Sequence, residues 1–217
     1  VYFKDIIRII VEFFKMLGNG FKNKRLKITN SYQRLGVLII VGSIPTALMG
    51  ILLEKQFEKL YSSISTIGFA FLITGILLWI ADKNPSENKK ARDMTISDAL
   101  VIGTFQGIAI APGISRPGST IVGGLFRGLN RKLATEFSFL MALPATLGAA
   151  ILGIKDVIES GTEITFSMPL LIGIIISAIV GIFSINILVG LLQKKKLHYF
   201  SYYLWVLGII LIIAQLV

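Results

Sequence analysis

The 217-residue chain contains no cysteine, which excludes disulfide bonds and thiolate metal sites. It has one histidine, His198, in a short basic loop, so no metal ligand set can be assigned from its residues. Acidic residues are few, 12 against 22 Lys and Arg, leaving a formal charge of +10. That excess is not gathered into a continuous cationic stripe, as nucleic-acid binding would need; it lies in short clusters between apolar runs, the pattern of membrane loops. No cleavable signal peptide is evident, because the short apolar stub at 1–3 is followed at once by Lys4 and Asp5. This start resembles the last residues of a spanning helix, and a further N-terminal portion is expected before Val1.

What the chain has in abundance is apolar sequence. Hydrophobic residues make up 54% of it and the mean hydropathy is +0.77, which places it in the membrane class. Crossing a bilayer takes about 20 apolar residues in a helix. The runs at 35–53, 67–81, 133–154, 168–192 and 199–217 meet or approach that length. The run at 97–111 stops at Pro112-Gly113, and the run at 118–126 is too short to span. The predicted fold is therefore an all-α polytopic membrane protein, a single membrane domain over 1–217, with five spans and a re-entrant pair of half-helices over 97–126.

Charge supports the same topology. If 97–126 enters and leaves on one face, 18 Lys and Arg fall on that face and three on the other. A full crossing would reduce the contrast to 13 against eight. The positive-inside rule makes the basic face cytoplasmic and puts the C-terminus outside.

The stretch 106–120 reads Gln-Gly-Ile-Ala-Ile-Ala-Pro-Gly-Ile-Ser-Arg-Pro-Gly-Ser-Thr. It sets a permanent cation, Arg116, and the hydroxyls of Ser115, Ser119 and Thr120 among lipid-compatible residues. Broken backbone survives at membrane depth only where protein or a wet cavity surrounds it, and an intramembrane Arg is by default a functional-site candidate. A helix that stops, a Gly-rich turn and a second helix opening near Gly118 form an anion trap: helix-start N–H groups attract phosphate and the guanidinium adds a charged fork. Pro112, Gly113, Gly118, Gly123 and Gly124 permit sharp turns and close backbone approach.

Several of these residues keep two readings open. Ser115 suits an N-cap as well as a ligand. Thr120 suits a ligand or a hydroxyl bonded to its own helix backbone. Gln106 either faces the cavity or bonds across helices. Asp98 is placed to start the first half-helix, where acids favour the N-terminus.

The run Ala-Pro-Gly-Ile-Ser-Arg-Pro-Gly-Ser-Thr-Ile at 111–121, Gly123-Gly124, Gly128-Leu129, Arg-Lys-Leu-Ala-Thr-Glu-Phe-Ser-Phe-Leu at 131–140 and Ala-Leu-Pro-Ala-Thr-Leu-Gly at 142–148 strongly resemble the undecaprenyl-diphosphate phosphatase family, the bacitracin-resistance membrane proteins of bacteria. The family usually has Ser where this chain has Pro117. Its N-terminal re-entrant loop, with two glutamates four residues apart and a Ser-Ser-Thr-Gly-His run, has no match here; Glu12 stands alone.

The resemblance implies an inverted-repeat architecture, with 1–81 the remainder of the first repeat, its re-entrant loop missing, and 96–217 the second. It implies catalytic roles for Arg116 and Ser115. Substrate contacts would come from Thr120, Ser119, Gly118, Gln106 and Gly113. Mg²⁺ or Ca²⁺ is implied as a cofactor, with ligands outside this chain. The implied activity is hydrolysis of undecaprenyl diphosphate to the monophosphate and inorganic phosphate, which recycles the cell-wall carrier lipid and confers bacitracin resistance. The partners implied are a polyprenyl diphosphate lipid and the plasma-membrane bilayer, with a homodimer as the assembly and no nucleic acid. The alternative from another class is a polyprenyl-phosphate transporter or flippase without hydrolysis, since broken helices and inverted halves are transporter features too.

Overall fold

The computed structural model describes residues 2–23, 25, 27–83, 88–161, 167–193 and 196–216. Lys194 and Lys195 of the last basic cluster, and Val1, lie outside these. Among the described residues the regular structure is helical: α1 (Phe3–Asn23), α2 (Ser31–Leu52), α3 (Glu54–Tyr61), α4 (Ile64–Lys83), α5 (Ile96–Ile108), α6 (Arg116–Phe126), α7 (Arg131–Glu159), α8 (Met168–Gln193) and α9 (His198–Leu216). Five helices, α2, α4, α7, α8 and α9, are long and apolar enough to span a membrane, and they correspond to the five runs found in the sequence. The chain is an all-α polytopic membrane protein.

The helix starts follow from local chemistry. Asn30 caps α2 by accepting from the Gln33 N–H, and Asn130 caps α7 by accepting from the Leu133 N–H, in each case satisfying a first-turn donor. Thr95 and Asp98 cap α5 reciprocally, side chain to backbone in both directions. The residues before the first long apolar run, which carry Lys4, Arg8 and Lys15 among apolar side chains, form the amphipathic helix α1. Ile9 and Met16 turn inward, while Phe3, Ile7, Ile10 and Phe14 form an exposed apolar stripe.

Small residues set the helix contacts, as expected where lipid removes the hydrophobic drive between helices. α5 runs alongside α2 with Gly103 packed directly on the Gly42 carbonyl, so that no side chain fits there. Thr46 donates to the Gly103 carbonyl at 2.9 Å across the same contact. α4 meets α9 at Gly68 and Gly208, and Trp205 donates its indole N–H to the Leu72 carbonyl at 3.3 Å. The buried core gathers Leu35, Leu38, Ile102, Val122, Phe137 and Met141 between α2, α5, α6 and α7. α8 by contrast is exposed over most of its length.

One face of the bundle is tied by charge. Arg34 at the start of α2 donates to the Met94 carbonyl just before α5. Asp82 near the end of α4 pairs with Arg131 at the start of α7 (3.0 Å) and with Nδ1 of His198 at the start of α9 (2.7 Å). Asp98 in the first turn of α5 receives Lys89 (2.5 Å) and Arg127 (2.8 Å), and Arg127 caps the end of α6. The N-terminus of α5 and the C-terminus of α6 therefore sit together, on the face where α2, α7 and α9 begin and α4 ends.

Candidate functional site

The segment 97–126 folds as a helical hairpin. At 1.5 Å per residue its 13-residue and 11-residue arms are about 20 and 16 Å long, well short of a bilayer core of about 30 Å. Both ends meet at the buried Asp98 carboxylate, so the segment enters and leaves on one face. Its turn lies deep in the bundle. Gly107 packs on Met49 and Ile110 lies against Gly50, in the last turns of α2. Gly113 abuts Ile67 and Ala70 near the start of α4. A loop that begins on the basic face thus carries its tip to the level where α2 ends and α4 begins, close to the opposite face.

The turn depends on Gly113. Its φ is +85°, in the left-handed region that only glycine enters without strain, and a Cβ there would lie 2.7 Å from the Ile67 carbonyl oxygen. α6 then opens on Ser115, whose hydroxyl accepts from the Gly118 N–H at 3.2 Å, so the N-cap role is realised. Gly118 leaves room for this contact, since a Cβ there would come within 2.9 Å of Ser115 Oγ. Pro117 occupies the first turn, where its missing N–H costs nothing and its fixed φ favours the helix. The departure from the family's usual Ser is compatible with the fold.

Arg116 is the first residue of α6. It is exposed, and its guanidinium has no hydrogen-bond or ion-pair partner among the described residues. Between Gly113 beside Ala70 and Gly118 beside Leu78, it stands level with the middle of α4. An unpaired guanidinium at that depth is costly in hydrocarbon and suits an anion or a wet cavity.

The other expected site residues divide. Ser115 is half-buried and caps α6 directly before Arg116. Thr120 is buried, and its hydroxyl lies 3.0 Å from the Arg116 carbonyl and 3.2 Å from that of Pro117, the backbone-bonded alternative. Ser119 is buried, and its hydroxyl has no partner among the described residues. Gln106 is buried and donates to the Met141 carbonyl at 3.3 Å, bonding across helices. Ser138 of α7, not among the residues expected from the sequence, bonds its hydroxyl to that of Thr120. The one signal for it was its place at helical spacing, with Leu133, Ala134, Phe137 and Met141, on the buried face of α7.

The residues near Arg116 do not suit a divalent cation. They offer hydroxyls, carbonyls and a cation, and the described residues hold no cluster of three or more His, Asp or Glu side chains. Asp82 and Asp98 are committed to ion pairs elsewhere.

The described residues form a helical membrane bundle built around a re-entrant hairpin, with an exposed guanidinium at the opening of a buried helix. Residues 1–210 match the family described as bacitracin resistance protein BacA, and the chain belongs to that family. Among its relatives, the undecaprenyl-diphosphatase of Alkaliphilus metalliredigens (strain QYMF) is 46% identical over 217 residues, covering 100% of this chain and 78% of that protein. The undecaprenyl-diphosphatase of Carboxydothermus hydrogenoformans is 43% identical over 190 residues, covering 87% of this chain and 73% of the relative. That of Halothermothrix orenii is 42% identical over 213 residues, covering 98% and 76%.

Proposed function

We propose that the chain is an undecaprenyl-diphosphate phosphatase: it hydrolyses the terminal phosphoanhydride, leaving undecaprenyl phosphate and inorganic phosphate. This recycles the carrier lipid of cell-wall synthesis and confers bacitracin resistance. The observation that carries the site assignment is Arg116, exposed, unpaired and set at the N-terminus of a helix at membrane depth. A planar guanidinium holds two phosphate oxygens at once. As water attacks the terminal phosphorus and the bridging P–O bond breaks, negative charge builds on the transferring phosphoryl group and on the departing lipid phosphate, and a fixed cation there lowers the barrier. The positive end of the α6 dipole adds to the same field. Ser115 holds that turn in shape and sits next to the phosphate. Mg²⁺ or Ca²⁺, implied by the resemblance, finds no ligand set beside Arg116, and no step is assigned to it.

The tip's position supports a site reached from the extracytoplasmic side, with the basic face cytoplasmic and the C-terminus outside. The test is phosphate release from undecaprenyl diphosphate by the purified full-length protein in detergent, since the resemblance puts part of the catalytic machinery outside residues 1–217. The wild-type full-length protein releases phosphate, and Arg116→Lys, which keeps the charge but loses the fork, lowers kcat/KM by about 100-fold. Near-normal turnover by Arg116→Lys would overturn the assignment, and a carrier without hydrolase activity would release no phosphate at all.

A further inference from the structure

Thr120 and Ser138 are two buried hydroxyls facing each other across the α6–α7 contact, in a core otherwise lined by Ile121, Val122, Phe137 and Met141. Ser138 is 2% exposed and Thr120 1%. Apolar side chains of similar size would pack here without the desolvation penalty that a hydroxyl carries into such a core. The pair is therefore worth keeping only for what its hydrogen bonds hold.

The hydrogens can be assigned by counting. Thr120 has one hydroxyl hydrogen and three oxygens within reach: the carbonyls of Arg116 (3.0 Å) and Pro117 (3.2 Å) and the hydroxyl of Ser138. Ser138 has no other side-chain partner among the described residues. If Thr120 donated to Ser138, the Ser138 hydrogen would have no acceptor. Only one arrangement satisfies both: Ser138 donates to Thr120, and Thr120 donates to the first-turn carbonyls of α6.

We infer that Ser138 is a positioning residue for Arg116. It acts through Thr120, anchoring the first turn of α6 to α7 and so fixing the direction in which the guanidinium leaves the helix. The anchor ends on the carbonyl of Arg116 itself, so loosening it frees the backbone of the residue that binds phosphate. This use of Ser138 rests on the assignment of Arg116 to phosphate binding. Thr120 accordingly serves the site from behind, as a strut between helices.

The chain's lack of cysteine gives a test that does not depend on turnover. Arg116→Cys carries a single thiol for a nitroxide spin label, read in the protein with Ser138 and with Ser138→Ala. The label is expected to become more mobile in Ser138→Ala. Ser138→Thr is expected to keep the wild-type spectrum and Ser138→Val, the same shape without the hydroxyl, to lose it. With Thr120→Val already present, Ser138→Ala should add nothing.

In the phosphate-release assay, with Arg116 intact, Ser138→Ala should lower kcat about fivefold and leave KM within twofold, with Ser138→Thr restoring it. Unchanged label mobility in both Ser138→Ala and Ser138→Val, or full additivity with Thr120→Val, overturns the inference. Normal turnover by Arg116→Lys would instead overturn the phosphate-binding role of Arg116, and the label spectra would still decide whether Ser138 holds α6.

Discussion

Arg116 and its neighbours show how a few atoms divide the labour at this turn. Gly113 supplies a backbone conformation, Ser115 a cap, Pro117 a preset φ, and Thr120 with Ser138 a strut, leaving the guanidinium without a partner among the described residues. The same logic applies far from the site at Glu12, whose carboxylate accepts from Lys15, Asn30 and Gln33 and links α1 to the start of α2. The Lys15 ammonium, followed by the Asn30 amide, holds this carboxyl below the ordinary carboxylate range. A depressed folded-state value means the stabilisation is in full force above the unfolded pKa and disappears as pH falls through the folded one. Docking of α1 on α2 should therefore weaken only under acid conditions. Hydrogen exchange of the α1 amides, compared between wild type and Glu12→Gln, should differ at neutral pH and converge below the carboxylate range.

Among the elements, the hairpin α5–α6 is the unit that makes the site, and Asp98 is its clasp. The carboxylate is fully buried and receives Lys89, Arg127 and the Thr95 N–H. Lys89 also joins the chain after Gly128 through backbone bonds, its N–H to the Gly128 carbonyl and its carbonyl to the Asn130 N–H. Removing one member of a buried ion pair costs about 3–5 kcal/mol. The Arg127 side chain is 38% exposed and re-solvates in part, so Asp98→Asn is expected to cost less, about 2–3 kcal/mol. Thermal unfolding in detergent measures that loss. Hydrogen exchange should locate it in the first turn of α5 and the last turn of α6, with the α4–α9 contact at Gly68 and Gly208 unaffected.

At the scale of the whole molecule, the charged ties at Asp82, Asp98 and Arg34 gather six helix ends on one face, while the hairpin tip reaches toward the other. That arrangement fixes sidedness. Single thiols at Arg92→Cys and Lys132→Cys, before and after the hairpin, should react with an impermeant maleimide from the same side of a sealed membrane. Tyr61→Cys and Lys155→Cys should react from the opposite side. Labelling of Lys132→Cys together with Tyr61→Cys would mean that the hairpin crosses the bilayer. The exposure of α8 and of the outer half of α7 fits helices whose surroundings are lipid.

The amino-acid sequence alone determined the class, the five spans and the break at 112–118, because length, hydropathy and Pro-Gly punctuation act locally along the chain. It also determined that Arg116 would be the exceptional residue, since a permanent charge in an apolar run cannot be hidden by any local rule. The amphipathic helix α1 was legible in its periodicity but was masked by its charges. Only the tertiary structure decided how the hydroxyls are used: Ser115 caps α6, while Thr120 and Ser138 meet in the core. Thr120 and Ser138 are 18 residues apart in the chain, and nothing in their spacing says that two helices will set their oxygens against each other. Gln106 likewise had two acceptable fates, and its side chain reaches across from α5 to the Met141 carbonyl of α7. Side-chain direction depends on how helices rotate against their neighbours, and that rotation is fixed by packing between distant segments.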